Sequence, residues 1–339
     1  MLVPVLLFIL GLVCLIFGGD WFVDGAVGIA NRLRIPEVLI GATVVSIGTT
    51  LPEVMVSATS AVTGHGEIAY GNAIGSVICN TALILALTIA IKPATAKAKD
   101  VYLAAIFFFI AAVIYMVSAY IFQAFTRTIG IILLLIFVVY MVISVRMSLK
   151  ASKEQKATLE AVKPDASESE SNDGQNAKKS WKDNIIVIIL MLVVGAALIA
   201  VGADLLVDNG TLIAQALGVP EAVIALTFVA LGTSLPELVT AVTSLIKGHS
   251  SLSLGNIVGA NLFNLVLVSG LSITISPFTL PLDKTICGIN SSLLVDLPLM
   301  VVVMLIAIVP VLFRNKLSRV QGIILLILYA GFCTLQFAS

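Results

Sequence analysis

The chain has 339 residues, of which 59% are hydrophobic and only 11% charged, and its mean hydropathy is +1.12. Soluble domains carry about 25% charged residues, so this composition excludes a soluble globular protein and describes an integral membrane one. Basic and acidic residues cancel at 19 each, and no basic surplus points to a nucleic-acid partner.

Apolar runs of about 20 residues are the length of a membrane-crossing helix, whereas barrel strands show ten-residue alternation. The runs predict an all-α polytopic protein with ten transmembrane helices. These lie at 2–30, 37–63, 68–91, 101–121, 127–149, 184–214, 220–246, 251–275, 287–312 and 317–337. The first 17 residues lack a basic start and a small-residue cleavage site, so they read as the first span rather than a secretory signal. Between the fifth and sixth spans lies a polar stretch containing Ser-Glu-Ser-Glu-Ser-Asn-Asp-Gly. Such a composition cannot bury a core and predicts a solvated, largely disordered linker. The expected division is 1–149, a linker at 150–183, and 184–339.

The two outer parts repeat one another. Gly48-Thr49-Thr50-Leu51-Pro52-Glu53 returns 184 residues later as Gly232-Thr233-Ser234-Leu235-Pro236-Glu237. The same offset pairs Asp20 with Asp204, Asp24 with Asp208, Pro36 with Pro220, Glu37 with Glu221 and Gly64-His65 with Gly248-His249. It also pairs Gly71-Asn72 with Gly255-Asn256, Gly75 with Gly259 and Asn80 with Asn264, without a gap from Gly18 onward. This is a duplication. Basic residues set the orientation. With both termini outside, the inner connections hold Arg32, Arg34, Lys92, Lys97, Lys99, the cluster from Arg146 to Lys182, Lys247, Arg314, Lys316 and Arg319, and the outer ones only Arg127 and Lys284. Five spans per half is an odd number, so the halves are expected to be inverted repeats, an arrangement that places a substrate site near the membrane midplane.

The repeated segments carry the chemistry. A carboxylate inside a span costs a few kcal/mol on insertion scales, and two copies imply two acids converging on one site that handles cations. Pro52 has no N–H for the Gly48 carbonyl, so the second span is expected to break there, with Thr49 and Glu53 on one face. Pro236 is expected to act likewise at Gly232, beside Thr233, Ser234 and Glu237. Carboxylate, hydroxyl and carbonyl are hard oxygen donors of the kind calcium takes in sets of six to eight. In the third span Asn72, Ser76 and Asn80 form a polar stripe, matched in the eighth by Asn256, Ala260 and Asn264, with Asn261 nearby. Gly71-x-x-x-Gly75 and Gly255-x-x-x-Gly259 are spaced for close helix packing.

Two G-T-[ST]-L-P-E segments, each followed by a G-N-x-x-G helix, across ten spans with a central polar loop, resemble the sodium/calcium exchanger family of the cation/calcium antiporter superfamily, of prokaryotic type. The resemblance covers essentially the whole chain, with alpha-repeats at about 37–91 and 220–275. It implies a sodium/calcium antiporter of the plasma membrane, without a cofactor, working by alternating access. It further implies that Glu53 and Glu237 are the central calcium carboxylates and that Thr49, Thr50, Thr233 and Ser234 give oxygens to calcium and sodium. Ser76, Asn80 and Asn264 would complete the sodium positions, with main-chain carbonyls at Ser46 and Ala230. The chain departs from many members in having Asn264 for Asp and Ala260 for Ser. That leaves two formal charges in the site, weakens a potassium-coupled reading and removes one sodium ligand.

The remaining polar groups have simpler readings. Glu37 and Glu221 follow prolines at helix starts, where an acid suits the dipole. Asp20, Asp24, Asp204 and Asp208 read as solvated at the membrane edge, with an access path as the other reading. Asp296 has no repeat partner and is expected to cap the break at Pro298 or pair with another helix. His65 and His249 read as solvated loop residues on opposite sides, and Cys14, Cys79, Cys287 and Cys333 as small buried hydrophobes. Rival functions are a proton/calcium antiporter using the same glutamates and a cation channel, although channels usually gather a filter from several subunits. No H-E-x-x-H or G-x-S-x-G supports a membrane enzyme.

Overall fold

The computed structural model describes residues 2–93, 95, 97–161, 184–218, 232–280, 285–286 and 289–338. Its long helices are α1 (Leu2–Leu33), α2 (Glu37–Val62), α3 (Gly66–Ile91), α4 (Val101–Phe122), α5 (Arg127–Glu154, continuing to Ala161), α6 (Ile185–Ala216), α7 (Leu235–Ile246), α8 (Ser250–Ile275), α9 (Ser292–Arg314) and α10 (Arg319–Gln336). All but α7 are long and apolar enough to cross a membrane. The span expected at 220–246 is described only from residue 232 onward, so Pro220, Glu221 and Ala230 lie outside the described residues, as do Lys284 and Cys287. The apolar face of α1, including Leu2, Leu6, Ile9 and Ile16, is exposed, as are Ile186, Leu190 and Val193 on α6. Surfaces of this kind belong against lipid.

Packing of the two first helices explains their glycines. A Cβ on Gly11 would stand 2.9 Å from the Gly202 carbonyl oxygen, and one on Gly18 would stand 3.0 Å from that of Gly195. Gly25 meets Leu192 further along. Partners on α6 fall in number as those on α1 rise, so the two helices are antiparallel. Gly195 and Gly202 are also the repeat equivalents of Gly11 and Gly18, so one backbone-to-backbone contact is made twice.

Gly255 and Gly259 of α8 likewise seat on α2, against Val38 and against Ala42 and Ser46. This is the close approach their spacing predicts. No described atom lies within 4 Å of a Cβ on Gly71 or Gly75. Two short strand pairs complete the frame. Ala124–Phe125 pairs antiparallel with Phe278–Thr279, joining the α4–α5 and α8–α9 connections, and Thr285–Ile286 pairs with Ile289–Asn290.

Three expectations are corrected. Helix α2 is continuous from Ser46 to Val62 with Pro52 inside it, so the chain does not break there. The proline removes one hydrogen bond, and a helix enclosed by other helices absorbs that loss. In the second copy a helix begins at the motif, as expected: Gly232–Ser234 form a turn, and Pro236 sits in the first turn of α7, where a missing N–H costs nothing. Helix α5 runs 12 residues into the expected linker, to Ala161. That stretch is rich in Ala, Lys, Glu and Gln, good helix formers, with a Lys150–Glu154 pair at 3.8 Å. Helix α9 starts at Ser292 rather than 287, because the Asn290 side chain accepts from the Ser292 and Leu293 amides at 2.9 and 3.3 Å. The residues before it form the small strand pair.

The polar groups outside the repeated motifs are also tied down. Lys247 Nζ lies 2.6 Å from Asp20 Oδ1 and 2.5 Å from Asp24 Oδ1, so these two acids are ion-paired rather than merely solvated. Glu37 starts α2 as expected, and it accepts from Ser251 Oγ at 3.0 Å and lies 2.9 Å from His249 Nδ1, which makes His249 part of a helix contact rather than a free loop residue. His65 pairs with Glu67 at 3.2 Å in the open. Asp296 takes Ser292 Oγ and, from α10, Gln336 Nε2, which is the pairing with another helix. Of the described cysteines, Cys79 is buried and Cys14 and Cys333 are partly exposed.

The α1–α6 contact gives a direct test. Gly195→Val places branched atoms where the Phe22 backbone nitrogen would be 2.5 Å from Cβ, an overpacking worth about 1–3 kcal/mol. Its melting temperature in detergent should fall clearly. Gly331→Ala, which meets no described atom within 4 Å, should leave it unchanged.

Candidate cation site

Four helices bring the motif residues to one buried place. From α2 come Ser46, Thr49, Thr50 and Glu53, from the turn before α7 Ser234, and from α7 Glu237 and Thr240. Ser76 and Asn80 come from α3, and Asn256 and Asn264 from α8. Glu53, Glu237, Asn80 and Asn264 are all 0% exposed. The two carboxylates feel one another's charge, and Thr49 and Thr50 flank that of Glu237. The repeat offset and the helix faces that it equates account for this convergence.

The local backbone contributes as well. The α-helical stretches of α3 and α8 each give way to a wider π-helical turn, Asn80–Leu85 and Asn264–Val268, starting at equivalent residues. Insertions of this kind recur at functional sites because they re-aim side chains and free carbonyls. Nothing in the polar stripe itself announces them.

Hydrogen bonding divides the site residues into two sets. Thr49 Oγ1 donates to Asn256 Oδ1 at 3.2 Å, and its repeat equivalent Thr233 donates to Asn72 Oδ1 at 3.3 Å. Ser46 Oγ is engaged by the Gly41 and Asn256 carbonyls at 2.8 and 2.9 Å. In the other set, both oxygens of Glu53 and of Glu237, Thr50 Oγ1, Ser234 Oγ and the amides of Asn80 and Asn264 have no hydrogen-bond partner among the described residues. Natural proteins pair nine in ten buried polar groups or more. So dense a set of unpaired oxygens around two carboxylates matches the demands of a hard cation. No cluster of three or more His, Cys, Asp or Glu that could hold a metal ion occurs among the described residues, and the donors beside the two carboxylates are the neutral oxygens of Ser, Thr and Asn.

Sequence reasoning missed Thr240 and Ser244, both 0% exposed and without partners among the described residues. Their signal was the spacing from Glu237, three and seven residues along one helix face. A cavity of about 770 Å³ reaches the motifs at Gly48, Pro52, Thr233 and Pro236, and Asp204 and Asp208 line its wall. A second, of about 350 Å³, runs along Tyr70, Gly71 and Gly75 to Ser292 and Asp296. Ala230 lies outside the described residues.

The chain matches the sodium/calcium exchanger protein family over residues 3–146 and 187–338, that is, over each half. It is 33% identical to a putative antiporter, CaxA, of Alkalimonas amylolytica over 348 residues, covering 100% of both chains. It is 30% identical to the sodium/calcium exchanger MaX1 of Methanosarcina acetivorans over 359 residues, covering 98% of each. Among solved structures it resembles the sodium-calcium exchanger NCX_Mj soaked with 10 mM Na⁺ and 10 mM Sr²⁺. That likeness has a TM-score of 0.76 at 29% identity and covers 100% of this chain and 98% of the other.

A buried amide without a partner costs about 1–3 kcal/mol. Asn80→Leu and Asn264→Leu should therefore raise the melting temperature of protein held in chelator, by roughly 2–4 °C or more. They should also weaken the stabilisation that added cation gives. Differential scanning fluorimetry with and without cation reads both effects.

Proposed function

Because the chain belongs to the sodium/calcium exchanger family, we propose that it is a secondary active antiporter exchanging sodium for calcium by alternating access. The observation that carries this reading is the pair of fully buried carboxylates, Glu53 and Glu237, whose oxygens find no partner among the described residues. Calcium neutralises both charges at once. Thr49, Thr50, Thr233, Ser234, Ser76, Asn80 and Asn264 supply neutral oxygens to calcium or sodium, and the main-chain carbonyls of Ser46 and Ala230 complete the set.

Coupling follows from electrostatics. To pass from one side to the other, the site must close, and closing it over two uncompensated carboxylates costs several kcal/mol per charge. An empty carrier is therefore trapped, whereas a loaded one is nearly neutral and can cross. Sodium and calcium compete for the same carboxylates, so one ion's gradient drives the other. No bond is made or broken, and the protein is a carrier rather than an enzyme, needing no cofactor beyond the ions that it moves.

We place the protein in the plasma membrane as ten spans in two inverted halves, 1–149 and 184–339. The antiparallel α1–α6 contact, made twice by repeat-equivalent glycines, supports the inversion. The bias of Lys and Arg supports both termini outside and a cytoplasmic linker. The 770 Å³ cavity, with Asp204 and Asp208 on its wall, is suited to admit cations toward Thr233.

Labelled-calcium uptake by proteoliposomes tests the reading. An outward sodium gradient should drive uptake, and a pH gradient alone should not. Glu53→Gln and Glu237→Gln should each reduce it to the level of empty vesicles at equal protein content. Uptake driven by the pH gradient instead would replace sodium by protons as the coupling ion, and undiminished uptake by either variant would remove the carboxylates from the site.

A further inference from the structure

We infer that Asn256 and Asn72 are positioning residues that turn the hydroxyl oxygens of Thr49 and Thr233 toward the transported cation, an inference that rests on the exchange function proposed above. A hydroxyl has one proton and two lone pairs. It can serve a cation only if its proton goes elsewhere. Within an apolar helix the usual outlet is the carbonyl one turn back. Thr43, Ser118 and Ser272 take it, donating to Leu39, Ile114 and Val268 at 2.6, 2.8 and 2.7 Å. Thr49 does not, and the carbonyl one turn before Thr233 lies outside the described residues. Each donates across to an asparagine on a helix of the other half, at 3.2 and 3.3 Å.

The two bonds are one bond made twice. Thr233 is Thr49 moved along by the repeat offset, and Asn72 is Asn256 moved back by it. The threonine of the first half uses the asparagine of the second, and the reverse. The alternative acceptor for Thr49 is the Glu237 carboxyl beside it. A proton donated there would occupy a carboxylate lone pair and aim the hydroxyl hydrogen into the site. By drawing that proton away, Asn256 leaves both the Thr49 oxygen and the carboxylate open to an ion.

The two asparagines are not held equally. Asn72 Nδ2 donates to Ser57 Oγ at 2.8 Å and to the Glu53 carbonyl at 3.2 Å, which fixes the amide with its oxygen toward Thr233. Asn256 Nδ2 has no partner among the described residues, and the residue equivalent to Ser57 is Ala241. The Asn256 amide is thus the less constrained of the two, and the site has a place where a hydroxyl would secure it.

The test is a cycle of variants in proteoliposomes, reading the calcium and sodium KM of exchange together with the maximal rate. Asn256→Ala should raise both KM values about five- to tenfold, the scale of one hydrogen bond. It should add nothing once Thr49→Val has removed the hydroxyl, yet keep its full effect beside Thr233→Val. An equal effect with and without the Thr49 hydroxyl would mean that Asn256 only packs, and would overturn the inference. Ala241→Ser keeps the test open should Asn256→Ala not fold: it gives Asn256 Nδ2 a partner, and should lower KM in the presence of Thr49 but not beside Thr49→Val. An unchanged KM in that variant would count against orientation by the amide. If the unmodified protein shows no sodium-driven calcium exchange, the functional reading fails; intact exchange without the Thr49 dependence fails this inference alone.

Discussion

Two acidic side chains buried together, with no cationic side chain beside them among the described residues, set the terms for the whole molecule. Glu53 and Glu237 are fully enclosed, and the basic residue nearest to Glu237 in sequence, Lys247, is taken by Asp20 and Asp24. Removing a carboxylate from water costs several kcal/mol even after relaxation. A fold that tolerates two must be held by contacts elsewhere. The backbone-to-backbone packing of Gly11 on Gly202, Gly18 on Gly195, and Gly255 on Val38 supplies them. These joints need no polar groups and work in lipid, where apolar burial gives no net drive between helices. The site is destabilised and the scaffold is rigid, a division expected where function demands unsatisfied chemistry.

The halves share sequence but not conformation. Pro52 lies within a continuous helix, whereas Pro236 begins one. Gly255 and Gly259 are covered by α2, and no described atom covers Gly71 or Gly75. Lys247 clasps Asp20 and Asp24, but its repeat counterpart is Thr63, and Asp204 and Asp208 face a cavity instead. Nearly the same residues thus adopt two different local arrangements in one molecule. If the halves are inverted as proposed, trading these arrangements would move an opening from one side of the membrane to the other, around a site that stays in place. The Lys247 clasp belongs to one half alone, so the halves are not equivalent at this joint.

The sequence made legible what depends on composition and on counting. Span positions followed from apolar runs, and the convergence of Glu53, Glu237, Asn80 and Asn264 followed from one offset and helical periodicity. Outcomes that turn on competition between neighbours were not legible. A proline states that one hydrogen bond is missing, but whether the helix breaks depends on what encloses it, and the two copies of one motif resolved this oppositely. The π-helical turns at Asn80 and Asn264 change the register of a helix without changing its residue pattern. Asn72 and Asn256 stood out as polar residues on an apolar face, but their threonine partners lie on other helices, beyond the reach of local spacing. Lys247 read as a loop charge because its partners, Asp20 and Asp24, are more than 200 residues away in sequence.

On the proposed assignment of the site, Asn264 bears on why it holds two charges and not three. An amide keeps an oxygen ligand while adding no charge. With two carboxylates the site is neutral with one divalent ion or with two monovalent ions, and in either case it can close without leaving an uncompensated charge. An ionised acid at this position, where many members carry Asp, would leave calcium one charge short, to be matched by a proton or a further cation. The neutral residue therefore does more than fill a place in the ligand set. On that assignment it fixes the charge that must be matched before the site can be buried, and that matching condition would convert competitive binding into obligatory exchange.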